Sequence, residues 1–266
     1  AGGKPGVRAT AAWALGLVKK PESARALESA LAKPGMGEEV RLACARGLGW
    51  IGNAESAAPL TEIAAGGGEA GLRAECLLAL AAVGKGDAAP VAKCAGDAHA
   101  EVRAGAIAAL AALDPKGSAD AVGKAVEDAD ERVRVAAADA VYACLGEAAL
   151  APAVKALGDK EWPVRVAAIG ALYEVWTKDA VGALVDRMQL EKGRLRFDIG
   201  STLGEMTGKD IGYDPLAWRG WWESNKDTFE MPKKPKKRGA REAKGGGTVA
   251  TFFNIPILTD RLAFVI

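Results

Sequence analysis

Four cysteines, one histidine and a glycine triplet are the residues of this 266-residue chain whose types could carry chemistry. Cys44, Cys76, Cys94 and Cys144 could bind zinc or form disulfides, His99 could relay a proton, and Gly47-Leu-Gly-Trp-Ile-Gly52 spells a dinucleotide-binding loop. Spacing argues against each reading. The cysteines stand 32, 18 and 50 residues apart with no CxxC pair, so the usual zinc geometries are out of reach. They lie among alanines in a helical pattern, where a free thiol packs as a small hydrophobe. A phosphate loop needs a strand before it and a helix N-terminus after it. Here the glycines close an apolar helical pattern, and Gly52 is placed for a left-handed C-cap. His99 sits in an Asp-rich turn, and the chain has no GxSxG and no HExxH to supply it with partners. No catalytic residue, cofactor or metal is expected, and the chain is read as a non-enzyme.

The elements that would position a site come from an internal repeat. An apolar residue followed by arginine recurs at Val7-Arg8, Val40-Arg41, Leu72-Arg73, Val102-Arg103, Val133-Arg134, Val164-Arg165 and Leu195-Arg196, at intervals of 33, 32, 30, 31, 31 and 31. Counted from the apolar residue, positions one, five, eight, nine and twelve share one face at 100° per residue. Position nine is Leu15, Leu48, Leu80, Leu110, Val141, Leu172 and Leu203. Position eight is small throughout, from Ala14 and Gly47 to Ala171 and Thr202, which lets neighbouring helices approach closely. Each segment is therefore an amphipathic helix of about three turns. A second helical stretch follows each one: residues 22–33, 55–65, 87–95, 118–127, 147–157 and 179–190. Pairs this short cannot bury their apolar faces alone, and stacking solves the problem. The expected fold is all-α, an α-solenoid of about seven helix pairs over residues 1–208.

The segments EEVRLACARGLG (38–49), AEVRAGAIAALA (100–111) and WPVRVAAIGALY (162–173) resemble HEAT repeats, particularly the short subtype first associated with phycobilisome lyases. The resemblance covers roughly residues 6–208 and implies a right-handed superhelix whose arginine-bearing helices line an inner, concave face. It specifies fold more than function. HEAT-type deoxyhypusine hydroxylases carry His-Glu pairs for iron, which this chain lacks. A bilin-lyase-like accessory subunit and a nucleic-acid-binding solenoid are the alternatives to a protein-binding scaffold, and the charge balance disfavours the second.

Asp97, Asp128 and Asp159 precede Arg103, Arg134 and Arg165 by six residues each, a constant offset that reads as a structural acid–arginine ladder tying each turn to the next helix. Positions four, seven and eleven point away from the shared core. They supply Trp13, Arg46 and Trp50 early, then Asp139, Glu174, Asp198, Ser201 and Glu205. A face aromatic at one end and acidic at the other suits a protein or peptide partner of basic character, with no small-molecule substrate.

The array then changes. Asp214 and Pro215 open a helix bearing Trp218, Trp221 and Trp222, so residues 209–230 read as a cap over the last repeat. Residues 231–247 carry seven cations against Glu242, a net of +6, which leaves −5 for the rest of a chain whose total is +1. They read as a disordered basic linker. Residues 248–266 have strand composition. They resemble the entry to a von Willebrand factor A domain, with Leu262–Ile266 as the first buried strand ahead of a metal motif. That order of parts suggests a bacterial surface or envelope interaction protein. The chain lacks an initiating methionine and stops within an apolar run, so it reads as a piece of a longer protein. No run of eighteen uncharged apolar residues marks a transmembrane helix, and compartment stays open.

Overall fold

The computed structural model of the chain describes residues 5–235, 251–252 and 255–256. In chain order its helices are α1 (Pro5–Val18), α2 (Pro21–Leu31), α3 (Glu38–Ile51), α4 (Ala57–Ala65), α5 (Ala70–Val83), α6 (Ala88–Cys94) and α7 (Ala100–Leu113). They continue as α8 (Ala119–Ala125), α9 (Glu131–Leu145), α10 (Leu150–Leu157), α11 (Trp162–Val175), α12 (Lys178–Met188), α13 (Gly193–Thr207) and α14 (Pro215–Asn225). Two two-residue strands, β1 (Thr251–Phe252) and β2 (Ile255–Pro256), pair antiparallel with Thr251 opposite Pro256. Leu262–Ile266 and residues 236–247 lie outside the described residues. The chain divides into two compact units, Ala1–Ala167 and Ala168–Ile266.

In the first unit the arginine-bearing helices α1, α3, α5, α7 and α9 pack side by side in sequence, and α2, α4, α6 and α8 each pack on the next of them as an outer layer. The repeat positions explain why. Leu48, Leu80, Leu110 and Val141 at position nine are fully or almost fully buried, as are Cys44, Cys76, Ala106 and Ala137 at position five. Each buried leucine contributes about 1.5–3 kcal/mol. Close approach depends on the missing side chains. A Cβ on Gly16 would lie 2.6 Å from the Gly47 Cα, and one on Gly49 3.0 Å from the Ala79 Cα, so α1 meets α3 and α3 meets α5 nearly backbone to backbone. These glycines account for most of the dinucleotide-like letters. Gly47 and Gly49 serve helix crossings, while Gly52 (φ 69°) ends α3 with its N–H on the Leu48 carbonyl.

On α1 the predicted core positions fail. Val7 and Val18 are 63% and 55% exposed, and Ala9, Ala12 and Gly16 are buried instead. In later repeats the one-five-eight-nine-twelve face is covered by the preceding outer helix. No helix among the described residues precedes α1 to do so.

The run Glu131–Leu157 is long and apolar enough by composition to cross a membrane, with a mean hydropathy of 1.3 over its best window. Its apolarity is that of a core helix. Val133, Ala137 and Val141 are buried within the first unit, and the helix breaks at Gly146 (φ 57°) before α10.

In the second unit α12 packs on α13 and α14. The capping segment forms a helix only over Pro215–Asn225, because Asp214 accepts the Leu216 N–H at 2.9 Å and Pro215 fixes the first helical φ.

Candidate partner-binding face and the arginine ladder

The ladder pairs differently from the six-residue offset. Arg103 places its guanidinium on the main-chain carbonyls of Asp97 (2.9 Å) and Ala98 (3.2 Å) behind it. It grips the carboxylate of Asp128, one repeat ahead, at 2.9 and 2.7 Å. Arg134 repeats this with the carbonyls of Asp128 and Ala129 and the carboxylate of Asp159 at 2.7 and 3.1 Å. Arg165 donates to the carbonyls of Asp159 and Lys160, each at 2.9 Å. Asp97 pairs with Arg73 at 2.7 Å. Each aspartate thus contributes its carbonyl to its own repeat and its carboxylate to the previous one. The −6 offset was visible in sequence because the carbonyl contact is local; the long contact, 24 or 25 residues away, gives the array its register.

Each carboxylate also accepts a backbone N–H two residues on: Asp97 from His99, Asp128 from Asp130, Asp159 from Glu161. The His99 N–H, with Arg73 and the His99 ring beside it, holds the Asp97 carboxyl down at about 2. Arg103 and the Asp130 N–H hold Asp128 below the usual range. The His99 ring lies 3.1 Å from Asp97, half-exposed at the mouth of α7.

Sequence reasoning missed two members, Arg73 and Glu191. Glu191 replaces aspartate at the corresponding turn of the second unit, at an offset of five. Its carbonyl accepts from Arg196 at 2.8 Å and its carboxylate from Arg187 at 2.7 Å.

One rung is vacant. Arg41 donates to the Leu31 carbonyl at 3.0 Å, and no acidic side chain pairs with it among the described residues. The turn ahead is Gly66-Gly67-Gly68, and a cleft of about 450 Å³ opens there, lined by Arg41, Arg73, Glu62 and these glycines. An added Cβ at Gly67 meets nothing within 4 Å. Gly67→Asp is expected to complete the rung and raise the thermal midpoint by a few degrees, about 1 kcal/mol. The gain should vanish in an Arg41→Gln background; an unchanged midpoint, or a gain that survives that change, would show that Arg41 is not the acceptor's partner.

On the exposed face of the first unit, Trp13 (47% exposed) and half-buried Trp50 flank the α1–α3 crossing. Arg46 is engaged with Glu75 of α5 through two bonds, 3.0 and 2.8 Å, so it is a pinned cation. Leu78 continues the apolar end. The α7 and α9 floor is small: Gly105, Ala108 and Ala112, then Ala136 and Ala143. From it projects Asp139, which makes no hydrogen bond or ion pair to any described residue. Its carboxylate reaches solvent yet is walled by protein, and the resulting desolvation pushes its carboxyl up to about 6.

In the second unit Asp198 is paired with Arg194 at 2.8 Å, and half-buried Ser201 lies between Asp198 and Glu205 on α13. Glu205 and Glu174 both bear on Tyr173, whose hydroxyl is pushed up to about 12 by burial first and by the Glu205 charge and hydrogen bond second. Glu174 holds Lys234 at 2.7 Å. The chain beyond α14 is therefore not a free tether from its first residue, as composition alone suggested. Trp218 is fully buried, while Trp221 and Trp222 are half-buried around Phe229.

All four cysteines are free and buried, and desolvation pushes the Cys44 and Cys76 thiols up to about 11 and about 12, far from reactive thiolates. The described residues hold no cluster of three or more His, Cys, Asp or Glu that could hold a metal ion.

Helix pairs packed one after another define an all-α helical-repeat fold of the HEAT-like solenoid type. A family model of HEAT repeats matches residues 2–81. No curated protein matches the chain. Among solved structures, the complex of CpcE and CpcF of phycocyanin lyase from Nostoc sp. is similar at 21% identity and a TM-score of 0.53, over 82% of this chain and 89% of that one. The Escherichia coli protein YibA is similar at 18% identity and a TM-score of 0.53, over 80% and 84%. Kap121p is similar at 12% identity and a TM-score of 0.50, over 76% of this chain and 26% of that one. At these identities the likeness is one of fold.

Proposed function

We propose that the chain is a non-catalytic scaffold that holds a protein or peptide of basic character along the exposed face of α1, α3, α5, α7 and α9. The observation that carries this reading is Asp139, an exposed carboxylate without a partner on an alanine floor, with Trp13, Trp50 and Leu78 on the same layer. Small residues leave room for a partner backbone. Aromatic anchors supply contact area, and an unsatisfied carboxylate in a partly desolvated setting favours a cation. Arg103 and Arg134 take no part, because their guanidinium groups are engaged by carbonyls and carboxylates of the turns.

The test is an affinity capture with the full chain, comparing wild type with a Trp50→Ala, Asp139→Lys double variant of equal helicity. A protein bound by wild type and released by the variant supports the reading, and its binding should weaken with salt. Equal retention by both would remove this face from consideration.

A further inference from the structure

We propose that Pro232–Lys234 is an intramolecular latch seated in a lysine-binding subsite built by Tyr173, Glu174 and Trp176, and that a lysine-bearing, proline-containing basic peptide of the partner takes the same seat. The second half rests on the scaffold reading above; the latch itself does not.

The seat engages the lysine in three ways. The Lys234 ammonium lies 2.7 Å from the Glu174 carboxylate and 2.6 Å from the Glu174 carbonyl, with its charge 5.8 Å from the centroid of the Tyr173 ring. Carboxylate, carbonyl and aromatic face are the three groups that recognise an ammonium. Two residues upstream, the Trp176 indole N–H donates to the Pro232 carbonyl at 2.8 Å, and the Trp176 ring meets Tyr173 edge-on at 5.1 Å. A main-chain contact at the proline and a charged contact two residues later amount to readout of an extended peptide.

Trp176 carries an independent mark. It follows α11 with φ 55°, where α3, α5 and α13 end on Gly52, Gly84 and Gly208 in the same left-handed conformation. A bulky side chain there is strained; Lys19 after α1 (φ 53°) is the other non-glycine residue in this region among the described residues, and at Trp176 the strained residue is also the donor to another segment, which points to a use for that side chain. Here the indole is the donor that fixes Pro232.

The approach to the seat is also built. Phe229 packs edge-on against Trp221 at 5.3 Å and Trp222 at 6.4 Å, so the chain leaving α14 is directed before it reaches α11. Glu205 beside Tyr173 adds a second negative charge to the seat. Both partners of the ion pair keep more than a quarter of their side-chain surface in solvent, so the latch is weak enough to be displaced. The sequence offers the same unit twice, Pro232-Lys233-Lys234 and Pro235-Lys236-Lys237.

Two measurements on the full chain test the proposal. Zero-length carbodiimide cross-linking followed by peptide mapping should join Lys234 to Glu174, and Trp176→Gly, which relieves the left-handed backbone while removing the indole donor, should lower that yield several-fold at unchanged helicity. An absent cross-link, or one indifferent to Trp176, overturns the latch. A fluorescently labelled peptide Met-Pro-Lys-Lys-Pro-Lys-Lys should bind a chain with Lys233, Lys234, Lys236 and Lys237 replaced by serine about tenfold more tightly than wild type, because a cis ligand at an effective concentration on the order of millimolar is removed. Adding Glu174→Gln to that chain should abolish the gain. A gain insensitive to Glu174, or no gain, overturns the shared seat. The Trp50, Asp139 face is tested separately by capture, so either reading can fail without the other.

Discussion

Arg134→Ala is expected to lower the stability of the first unit by about 3 kcal/mol, at the lower end of what breaking a buried pair costs. Arg134 is 8% exposed, and its partner Asp159 keeps 12% of its side chain in solvent. The substitution leaves a carboxylate with one backbone donor, and the carbonyls of Asp128 and Ala129 lose their hydrogen bonds. Asp159→Ala alone should cost somewhat less, and the double variant less than the sum of the two, with a coupling of about 1–3 kcal/mol. Urea unfolding at unchanged m reads these directly; a loss below about 1 kcal/mol for Arg134→Ala would reduce the ladder to surface decoration.

The same ladder sets the acid limb of stability. Asp97 is held at about 2 against an ordinary 3.8, so its contribution is present above pH 3.8 and disappears as pH falls through about 2; Asp128 and Asp159 are displaced the same way. Asp139 has the opposite sign. Its raised carboxyl favours the folded state most below pH 3.8, and that advantage is lost as pH rises through about 6. Asp139→Asn should therefore flatten the stability profile between about pH 4 and 6 and leave the acid limb intact.

The fold was legible because the repeat writes each core position several times over. A leucine or valine at position nine and a small residue at position eight survive local noise when read across copies. The periodicity also located the ladder aspartates. It could not show that Asp128 answers Arg103 across 25 residues, since pairing between adjacent turns depends on how the helices stack and leaves no short offset. Glu191 escaped for a simpler reason, a change of residue and of offset together. The errors at the ends share a cause. Val7 and Val18 obey the repeat pattern yet are exposed, because a pattern predicts which face is apolar but not whether anything covers it. Lys234 read as tether for the converse reason: a lysine's partner is set by where the chain turns, and Phe229 against Trp221 and Trp222 turns it. Of the acidic residues read as candidates for a basic partner, Glu174 and Asp198 are paired within the chain, while Asp139 stands open.

Trp218→Ala is expected to remove about 4 kcal/mol from the second unit, in the range for truncating a buried tryptophan. Its side chain is fully buried and its indole N–H donates to the Gly212 carbonyl at 2.9 Å. That bond fixes more than α14. The Gly212–Tyr213 segment lies on Gly200 of α13, where a Cβ would come within 2.8 Å of the Gly212 oxygen and 2.7 Å of the Tyr213 ring, and Tyr213 stacks on Phe197 at 4.4 Å. Losing the indole therefore opens a cavity and releases the connection between α13 and α14 together. Trp218→Phe, which keeps most of the ring and leaves the Gly212 carbonyl without its donor, should lose only about 1–2 kcal/mol. Trp222→Ala should fall between them, since its ring is half-exposed against Gly182. Hydrogen exchange by mass spectrometry should show faster opening over residues 193–225 with α3, α5 and α7 still protected; uniform loss of protection along the chain would mean that the tryptophan helix stabilises the whole array, not its own unit. Because Phe229 is steered by Trp221 and Trp222 on the same helix, Trp218→Ala should also lower the Lys234 to Glu174 cross-link. A latch that survives the loosening of α14 would have to be held by Trp176 and Glu174 alone.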